Sequence, residues 1–175
     1  MTPPDSVQFW SAVSLLGSPL AMTVTCITLA LTLAARGTRS ASAATLLLQG
    51  GGGLLNMAIK TVVRRPRPPG SELLLHGFSW SFPSGHAMGS LIGYGMLCYC
   101  VTRYWTPSQA VRRSVVALSS LLVLAVGVSR VALGVHYRGD VLGGYLIGAA
   151  WRTSGINVLR RIEAAELNRP PARAR

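Results

Sequence analysis

The sequence predicts an all-α protein, a polytopic bundle of transmembrane helices, on the basis of its composition and the spacing of its apolar stretches. Of the 175 residues, 50% are hydrophobic and only 13% are charged. A soluble domain carries roughly 25% charged residues, so this chain has too few polar side chains to cover a surface exposed to water. A disordered chain is excluded as well, because such chains are poor in hydrophobic residues. Between the basic residues lie apolar stretches close to the ~20 residues that cross a bilayer.

Five such stretches are predicted to span the membrane, after a short interfacial helix. The stretch at 7–16 is only modestly apolar and contains Trp10, which favours a helix at the membrane surface, or an extension of the first span, over a separate crossing. The last span is interrupted by Arg152, whose side chain must reach the interface or face protein. The predicted spans cover residues 17–35, 41–60, 86–105, 114–133 and 140–158. The chain therefore divides into an N-terminal interfacial segment (1–16), a transmembrane domain (17–158) and a basic, flexible, cytoplasmic tail (159–175).

The basic residues predict the orientation of the bundle. The net charge is +12, from 17 basic and 5 acidic residues. In a soluble protein this excess would suggest nucleic-acid binding, but here the arginines interrupt apolar stretches, as they do in the cytoplasmic loops of membrane proteins. We therefore expect no nucleic-acid partner and a location in the cell membrane, with the N-terminus outside and the C-terminus inside. The cytoplasmic face would carry Arg36, Arg39, Arg103, Arg112, Arg113, Arg152, Arg160, Arg161, Arg169, Arg173 and Arg175.

A run of four glycines at 50–53 lies within the second span. A phosphate-binding loop would need a following Gly-Lys-Ser/Thr, which is absent. Glycine also lets neighbouring helices approach closely. The run therefore predicts close helix packing or a local kink.

The remaining basic residues cluster at the predicted outer face. A first segment follows the second span and holds Lys60 and Arg67, seven residues apart. On a continuous helix both would face one way, but the prolines on either side of Arg67 are expected to end the helix and leave Arg67 on an extended stretch. Both side chains suit phosphate oxygens. Anchoring in lipid headgroups is the alternative for them, and it is the favoured interpretation of Arg64 and Arg65.

A second segment, Pro83-Ser84-Gly85-His86, is predicted to open the third span. Ser84 is a preferred helix N-cap, and Gly85 lets a ligand approach the backbone. Free N–H groups at a helix start form an anion site, beside which His86 could give a proton to a departing oxygen. A capped helix with an interfacial histidine is the simpler alternative.

A third segment joins the fourth and fifth spans and holds Arg130, His136 and Asp140. The spacing of four would place His136 and Asp140 on one face of a helix, although Gly139 allows a turn instead. A carboxylate bonded to one imidazole nitrogen fixes the tautomer and leaves the other nitrogen free as a nucleophile, and Arg130 would add a phosphate contact. A structural ion pair of Asp140 with Arg130 or Arg138 is the alternative.

A metal site would be a competing use of the two histidines and Asp140, because such ligands can hold a metal with open positions. The neighbouring cations Lys60, Arg67 and Arg130 would repel a metal ion, whereas they suit a phosphate dianion. We therefore predict neither a metal nor another cofactor.

Together, the three segments resemble the three-part signature of the type 2 phosphatidic acid phosphatase superfamily. The resemblance covers about residues 17–151, and the motifs are complete and in the family's order. Many membrane members of that family have six spans, against the five spans and short N-terminal segment predicted here. The matching pieces are Lys60-x6-Arg67-Pro68, Pro83-Ser84-Gly85-His86 and Ser129-Arg130-x5-His136-x3-Asp140.

The resemblance implies an integral membrane lipid phosphatase that works without metal, with its active site on the extracytoplasmic face. His136, oriented by Asp140, would attack phosphorus and form a phosphohistidine, and His86 would protonate the leaving oxygen. The substrate would be a lipid phosphate or pyrophosphate: polyprenyl pyrophosphate, a polyprenyl-phosphate sugar phosphate, phosphatidylglycerophosphate or phosphatidic acid. The phosphoryl oxygens would be held by Lys60, Arg67, Ser84, Gly85 and Arg130.

Two other functions stay open at this point. A phosphotransferase would use the same site and pass the phosphoryl group to an alcohol. A non-enzymatic membrane protein would bind anionic lipids through its basic cluster, so that it would need Arg67 and Arg130 but not His136. The apolar loop at 73–80 is predicted to line the lipid entrance, and His76 within it to be a merely interfacial histidine.

Overall fold

The computed structural model describes residues 5–71, 79–105 and 108–168, and every regular element within them is helical. The predicted all-α class is confirmed. His76 and most of the predicted entrance loop lie outside the described residues. The helices are α1 (Asp5–Leu15), α2 (Pro19–Ala35), α3 (Arg39–Val63), α4 (Gly85–Tyr104), α5 (Gln109–Ala132) and α6 (Arg138–Leu167).

Local sequence explains several helix ends. Ser18, Ser84 and Ser108 precede α2, α4 and α5, and each hydroxyl accepts a backbone N–H of the first turn, which satisfies one of the free donors there. The end of α3 lies where Arg64 adopts a left-handed conformation, with φ of 48°. The chain then enters the proline-containing stretch that was predicted to end this helix.

The bundle is arranged around α4, which contacts α2, α3, α5 and α6. Within the described residues, the stretches long and apolar enough to cross a membrane are Asp5–Ala35, Arg39–Val63 and Gln109–Ala132, so the count of five spans stays a prediction. The outward-facing surface is apolar, as expected where helices meet lipid. Exposed side chains on it include Leu20, Leu31, Leu47, Leu121, Leu142 and Leu146.

The glycine run in α3 serves close helix packing at its two central positions. A Cβ on Gly51 would lie 2.7 Å from the ring of Trp151, and one on Gly52 would lie 2.5 Å from Ile92. The indole N–H of Trp151 donates to the carbonyl oxygen of Leu48 at 2.9 Å. The run therefore lets α3 approach α4 and α6, whereas the outer two glycines have nothing within 4 Å.

The structure corrects the predicted boundary at residue 158, because α6 continues to Leu167. Leu159 is buried in the core, and Glu163 accepts a hydrogen bond from the hydroxyl of Tyr104 on α4. These contacts hold residues 159–167 in the helical bundle instead of in a flexible tail. Residues 169–175 of the predicted tail lie outside the described part of the chain.

Candidate active site

One cavity of about 580 Å³ brings the three sequence segments together. Ser84 and Asp140 are fully buried and do not line it. The cavity also extends along α2 and α3, past the charged residues. The predicted site residues that line it are Lys60, Arg67, Gly85, His86, Arg130 and His136.

His136 lies in the turn between α5 and α6, with its two ring nitrogens in different surroundings. Its Nε2 lies 3.2 Å from Nη1 of Arg67. A guanidinium can only donate, so Nε2 accepts and the ring proton is on Nδ1. The Nδ1 atom lies 3.4 Å from Oγ of Ser81 and 3.5 Å from Oδ2 of Asp140. In this tautomer the lone pair is on Nε2, the nitrogen that borders the cations of the cavity.

Asp140 is fully buried in the first turn of α6 and collects three hydrogen bonds. Its Oδ2 accepts from the hydroxyl of Ser81 at 2.5 Å and from the backbone N–H of Tyr137 at 2.9 Å. Its Oδ1 accepts from Nη1 of Arg65 at 3.0 Å. Since Tyr137 is the N-cap of α6, His136 and Asp140 face each other across a helix start and do not share one helix face. Of the two geometries left open by the sequence, the turn is the one observed.

Arg65 is the cationic partner of this carboxylate, so its interpretation as a lipid anchor needs correction. Its guanidinium lies 4.4 Å above the ring of Tyr137, although 42% of the side chain remains exposed. Arg64 differs, because its side chain is exposed and, among the described residues, donates only to the carbonyl oxygen of Thr61. Because the backbone at Arg64 is left-handed, the side chains of Arg64 and Arg65 point in different directions.

Arg67 is held in the cavity wall by two backbone carbonyls. Its Nε donates to Ser79 and its Nη1 to Val135, both at 2.7 Å. The extended stretch after α3 is thereby tied to the segment before α4 and to the turn after α5. Because Nη1 also reaches His136, one guanidinium links the cationic wall to the imidazole.

Lys60 and Arg130 complete the positive wall. Lys60 donates through Nζ to the carbonyl oxygen of Trp80. Arg130 is buried, and its Nη1 donates to the hydroxyl of Ser14 on α1. Its Nε has no partner within the described residues. A buried guanidinium with spare donors suits an anion bound in the cavity, and α1 takes part in the site through Ser14.

The start of α4 presents free backbone donors to the same cavity. The hydroxyl of Ser84 accepts the N–H of Ala87 at 3.4 Å, so it acts as a helix cap below the cavity wall. The amides of Gly85 and His86 have no partner in the described part of the chain, as expected for the first residues of a helix. A Cβ on Gly85 would lie 3.2 Å from Oδ1 of Asn56, a tight contact that would require the Asn56 side chain to shift.

The electrostatic balance of the cavity keeps its loop histidine neutral. Burial lowers the pKa of His136 well below the ordinary 6.5, and the charges of Arg67, Arg130 and Lys60 lower it further. Burial also lowers the pKa of Arg67, while the charge of Asp140 acts in the opposite direction. A neutral imidazole among cations favours an anionic ligand. Within the described residues, no three His, Cys, Asp or Glu side chains are grouped to hold a metal ion.

Sequence reasoning missed several residues that shape the site. Ser81 bridges the imidazole and the carboxylate, and Asn56 donates to the carbonyl oxygen of Pro83 at 3.4 Å. Ser14 accepts a hydrogen bond from the buried Arg130, and Arg65 pairs with the buried Asp140. Of these residues, only Asn56 could have been found from the sequence, because it lies one helical turn before Lys60 on α3.

Comparisons with known proteins identify the family of this chain. The family model described as the PAP2 superfamily matches residues 41–162. The chain is also 37% identical over 103 residues to phosphatidylglycerophosphatase B of Bacillus subtilis (strain 168). That alignment covers 59% of this chain and 50% of the relative, so the chain spans about half the length of the curated relative it matches.

A solved structure is similar over nearly the whole fold. It is the crystal structure of the first transmembrane PAP2 type phosphatidylglycerolphosphate phosphatase from Bacillus subtilis, with a TM-score of 0.80 and 27% sequence identity. The similarity covers 93% of this chain and 80% of that one. Since the family model matches well over half of the sequence, the chain belongs to the PAP2 superfamily, the type 2 phosphatidic acid phosphatases whose three motifs line its cavity.

Proposed function

We propose that the chain is a membrane lipid phosphatase that hydrolyses a phosphomonoester or pyrophosphate of a lipid through a phosphohistidine, without a metal. The observation that carries this proposal is the position of Nε2 of His136. This unprotonated nitrogen lies 3.2 Å from Arg67, in a cavity that also holds Lys60, Arg130 and His86. A nucleophile, a candidate acid and an anion-binding wall therefore share one enclosure.

In the first step, Nε2 of His136 would attack phosphorus and form a P–N bond while the P–O bond to the leaving group breaks. The leaving group is the lipid alcohol of a phosphomonoester or the lipid phosphate of a pyrophosphate. A protonated His86 would give its proton to the departing oxygen, and a phosphate dianion in the cavity favours that charged form. The proton on Nδ1 of His136 would remain directed at Ser81 and Asp140, which stabilise the positive charge on the ring.

In the second step, water would attack the phosphohistidine. His86, now neutral, would take a proton from the water as the P–N bond breaks and inorganic phosphate forms. Charge builds on the phosphoryl oxygens in both transition states. The donors placed to stabilise that charge are Lys60, Arg67, Arg130 and the amide of Gly85.

The shape of the cavity supports a lipid as the substrate. Beyond the charged end its wall is made by apolar residues of α2 and α3, including Met22 and Met57. A neighbouring groove of about 390 Å³ shares Pro19, Gln49 and Gly53 with it and continues between α2 and α3. A phosphorylated headgroup could thus lie among the cations while its chains remain in the membrane. Phosphatidylglycerophosphate is the first substrate to test, because the similar proteins are named for it.

The active site is proposed to face the extracytoplasmic side. The basic residues at the end of α4, at the start of α5 and in the second half of α6 lie at the opposite end of these helices, where the positive-inside rule places the cytoplasm. A cysteine introduced at exposed Arg64 should react with a membrane-impermeant thiol reagent on intact cells, whereas one at Arg113 should not. The reverse labelling pattern would overturn the orientation.

The proposal is tested by phosphate release from purified protein in detergent with EDTA present. Phosphatidylglycerophosphate, phosphatidic acid and undecaprenyl pyrophosphate would be compared as substrates. We expect metal-independent release that is lost in both His136→Ala and His86→Ala. Activity that survives His136→Ala would overturn the mechanism, and anionic-lipid binding without any release by the wild type would favour the non-enzymatic alternative.

A further inference from the structure

The N-terminal helix α1 contacts one cation of the active-site wall. Nη1 of Arg130 on α5 donates to the hydroxyl oxygen of Ser14, a residue 116 positions earlier in the sequence. Both residues are buried, with 4% of Ser14 and 7% of Arg130 remaining exposed. Within the described residues, no carboxylate forms an ion pair with Arg130. A neutral hydroxyl is therefore the acceptor that holds this buried guanidinium.

The end of α1 is fixed in place by two further contacts. The hydroxyl of Tyr94 on α4 donates to the carbonyl oxygen of Leu16 at 2.7 Å. Gly17 packs against α5, since a Cβ at that position would lie 2.3 Å from Val126, and Gly17 itself lines the active-site cavity. Val126 lies about one helical turn before Arg130. The end of α1 is thus held against the same stretch of α5 that carries the arginine.

The charges of the cavity explain why Arg130 needs such an acceptor. Arg130 shares the cavity with Lys60 and Arg67, and like charges in a partly enclosed site repel one another. Before an anion binds, this repulsion favours a movement of the guanidinium out of the cavity wall. A carboxylate would hold the guanidinium but would also compete with a bound phosphate for its charge. A hydroxyl fixes the position of the guanidinium and leaves its full charge for the substrate.

We propose that Ser14 is a positioning residue for Arg130, and that α1 is thereby a functional part of the phosphate-binding site. A guanidinium has five N–H donors. The contact with Ser14 uses one of them, so the others are left for phosphoryl oxygens in the cavity. Ser14 does not line the cavity, so it acts through the arginine. The kinetic consequence of this inference rests on the proposed function, whereas its consequence for anion binding does not depend on turnover.

The test compares the wild type with Ser14→Ala in two measurements on the purified full chain in detergent. One is phosphate release from phosphatidylglycerophosphate, and the other is calorimetric binding of inorganic phosphate. We expect Ser14→Ala to lower kcat/KM and the affinity for inorganic phosphate about tenfold each, because a hydrogen bond to a charged group contributes about that factor.

Ser11→Ala is the matched control. Ser11 lies three residues earlier on the same helix and is half-buried, but within the described residues it makes no hydrogen bond to Arg130. The Ser11→Ala variant should change either quantity by less than about twofold.

A double-mutant cycle separates the proposed role from simple packing of α1. Arg130→Met replaces the guanidinium by an uncharged side chain, and Ser14→Ala would be added to it. Single-turnover phosphate release at high enzyme concentration would measure both slow variants. Once the guanidinium is absent, removal of the hydroxyl should change the rate by less than about twofold. A further tenfold loss would show that Ser14 acts through packing and would overturn the proposal. Ser14→Thr keeps the hydroxyl and should recover most of the activity that Ser14→Ala loses.

Unchanged kcat/KM and unchanged phosphate affinity in Ser14→Ala would also overturn the proposal. If Arg130→Met fails to fold, Ser14→Ala and Ser14→Thr decide, and equal losses in those two variants at unchanged Tm would contradict a role for the hydroxyl. A wild-type protein that releases no phosphate from lipids, but binds inorganic phosphate about tenfold more tightly than Ser14→Ala does, would contradict the proposed function and support this inference. Neither release nor binding of phosphate by the wild type would contradict both.

Discussion

Arg65 and Asp140, 75 positions apart in sequence, are joined by a contact of 3.0 Å between Nη1 and Oδ1. The pair connects the stretch after α3 to the first turn of α6 and fixes the carboxylate next to His136. The same carboxylate also accepts hydrogen bonds from the hydroxyl of Ser81 and the amide of Tyr137. Arg65 is therefore one of several groups that hold it in place. It is a positioning residue without direct contact to the cavity.

Arg65→Gln should therefore lower kcat moderately, by about tenfold, since a hydrogen bond to a charged group contributes about 1.5–3 kcal/mol and this arginine is partly exposed. KM should change little, because Arg65 does not line the cavity. Steady-state phosphate release would measure both constants. Arg64→Gln, at the exposed neighbour, should have wild-type kcat, and an equal loss in both variants would refute a specific role for Arg65.

Ser81→Ala should also lower kcat more than it changes KM. The hydroxyl donates to Asp140 at 2.5 Å and lies 3.4 Å from Nδ1 of His136, so its loss removes a support of the imidazole tautomer. We expect a decrease of about ten- to a hundredfold, by analogy with the loss seen when a group that orients a metal-binding histidine is removed. Ser79→Ala is a suitable comparison, because the Ser79 hydroxyl makes only contacts of 3.4 Å and should matter far less. Full activity in Ser81→Ala would show that Asp140 orients His136 without it.

The three motifs predict the cavity residues well because the chemistry of anion binding dictates their types. Arg65 and Ser81 could not be predicted in the same way. A pair of arginines at a helix end has the same pattern whether it anchors lipid or binds a carboxylate, and the backbone conformation of Arg64 decides between the two. Ser81 lies in a loop, where no periodicity indicates the direction of a side chain.

The end of α6 could not be predicted from the local sequence either. Its apolar pattern weakens near Arg160 and Arg161, which is typical of a helix leaving a membrane. The structure continues the helix because Glu163 meets Tyr104 of α4. Such a contact between distant segments is invisible to any analysis of neighbouring residues.

The lowered pKa of His136 makes stability depend on pH in a defined direction. Below the ordinary pKa of 6.5, the unfolded chain binds a proton at this residue that the folded protein excludes, so the free energy of unfolding should fall as the pH drops below about 6.5. Above that pH the contribution is fully present. Thermal unfolding between pH 8 and pH 5 would measure it. His136→Gln should have a shallower pH dependence over the same range, and an identical slope in both proteins would contradict the assignment.

The ring itself can be followed by NMR of histidine-labelled protein. We expect the His136 imidazole to remain neutral at pH 6, with its proton on Nδ1, as burial and the three surrounding cations require. Assignment would use the signals missing from His136→Gln. A midpoint at or above 6.5 would show that the cationic wall does not act on this ring.

Gly144 of α6 packs against the start of α4, so a substitution there should affect both stability and the active site. A Cβ there would lie 2.8 Å from the backbone oxygen of Ser84, which begins the helix that carries Gly85 and His86. Gly144→Ala should lower stability by about 1–3 kcal/mol through overpacking and reduce activity by displacing the start of α4. A lower Tm and lower phosphate release would be measured together.

Gly50→Ala provides the matched control, because nothing lies within 4 Å of a Cβ at that position. Alanine favours a helix over glycine by about 1 kcal/mol, so this variant should keep or slightly raise Tm. Equal destabilisation by both substitutions would rule out the contact with Ser84 as the cause.

The central claim is that Nε2 of His136 forms a bond to phosphorus. Rapid mixing with phosphatidylglycerophosphate, an alkaline quench and peptide mass spectrometry would detect it directly. The account predicts one phosphoryl group on the peptide that contains His136, formed and lost at rates consistent with turnover, and absent from His136→Ala. Phosphate release at the normal rate with the label on another residue, or with no protein-bound phosphoryl group at any time, would contradict it.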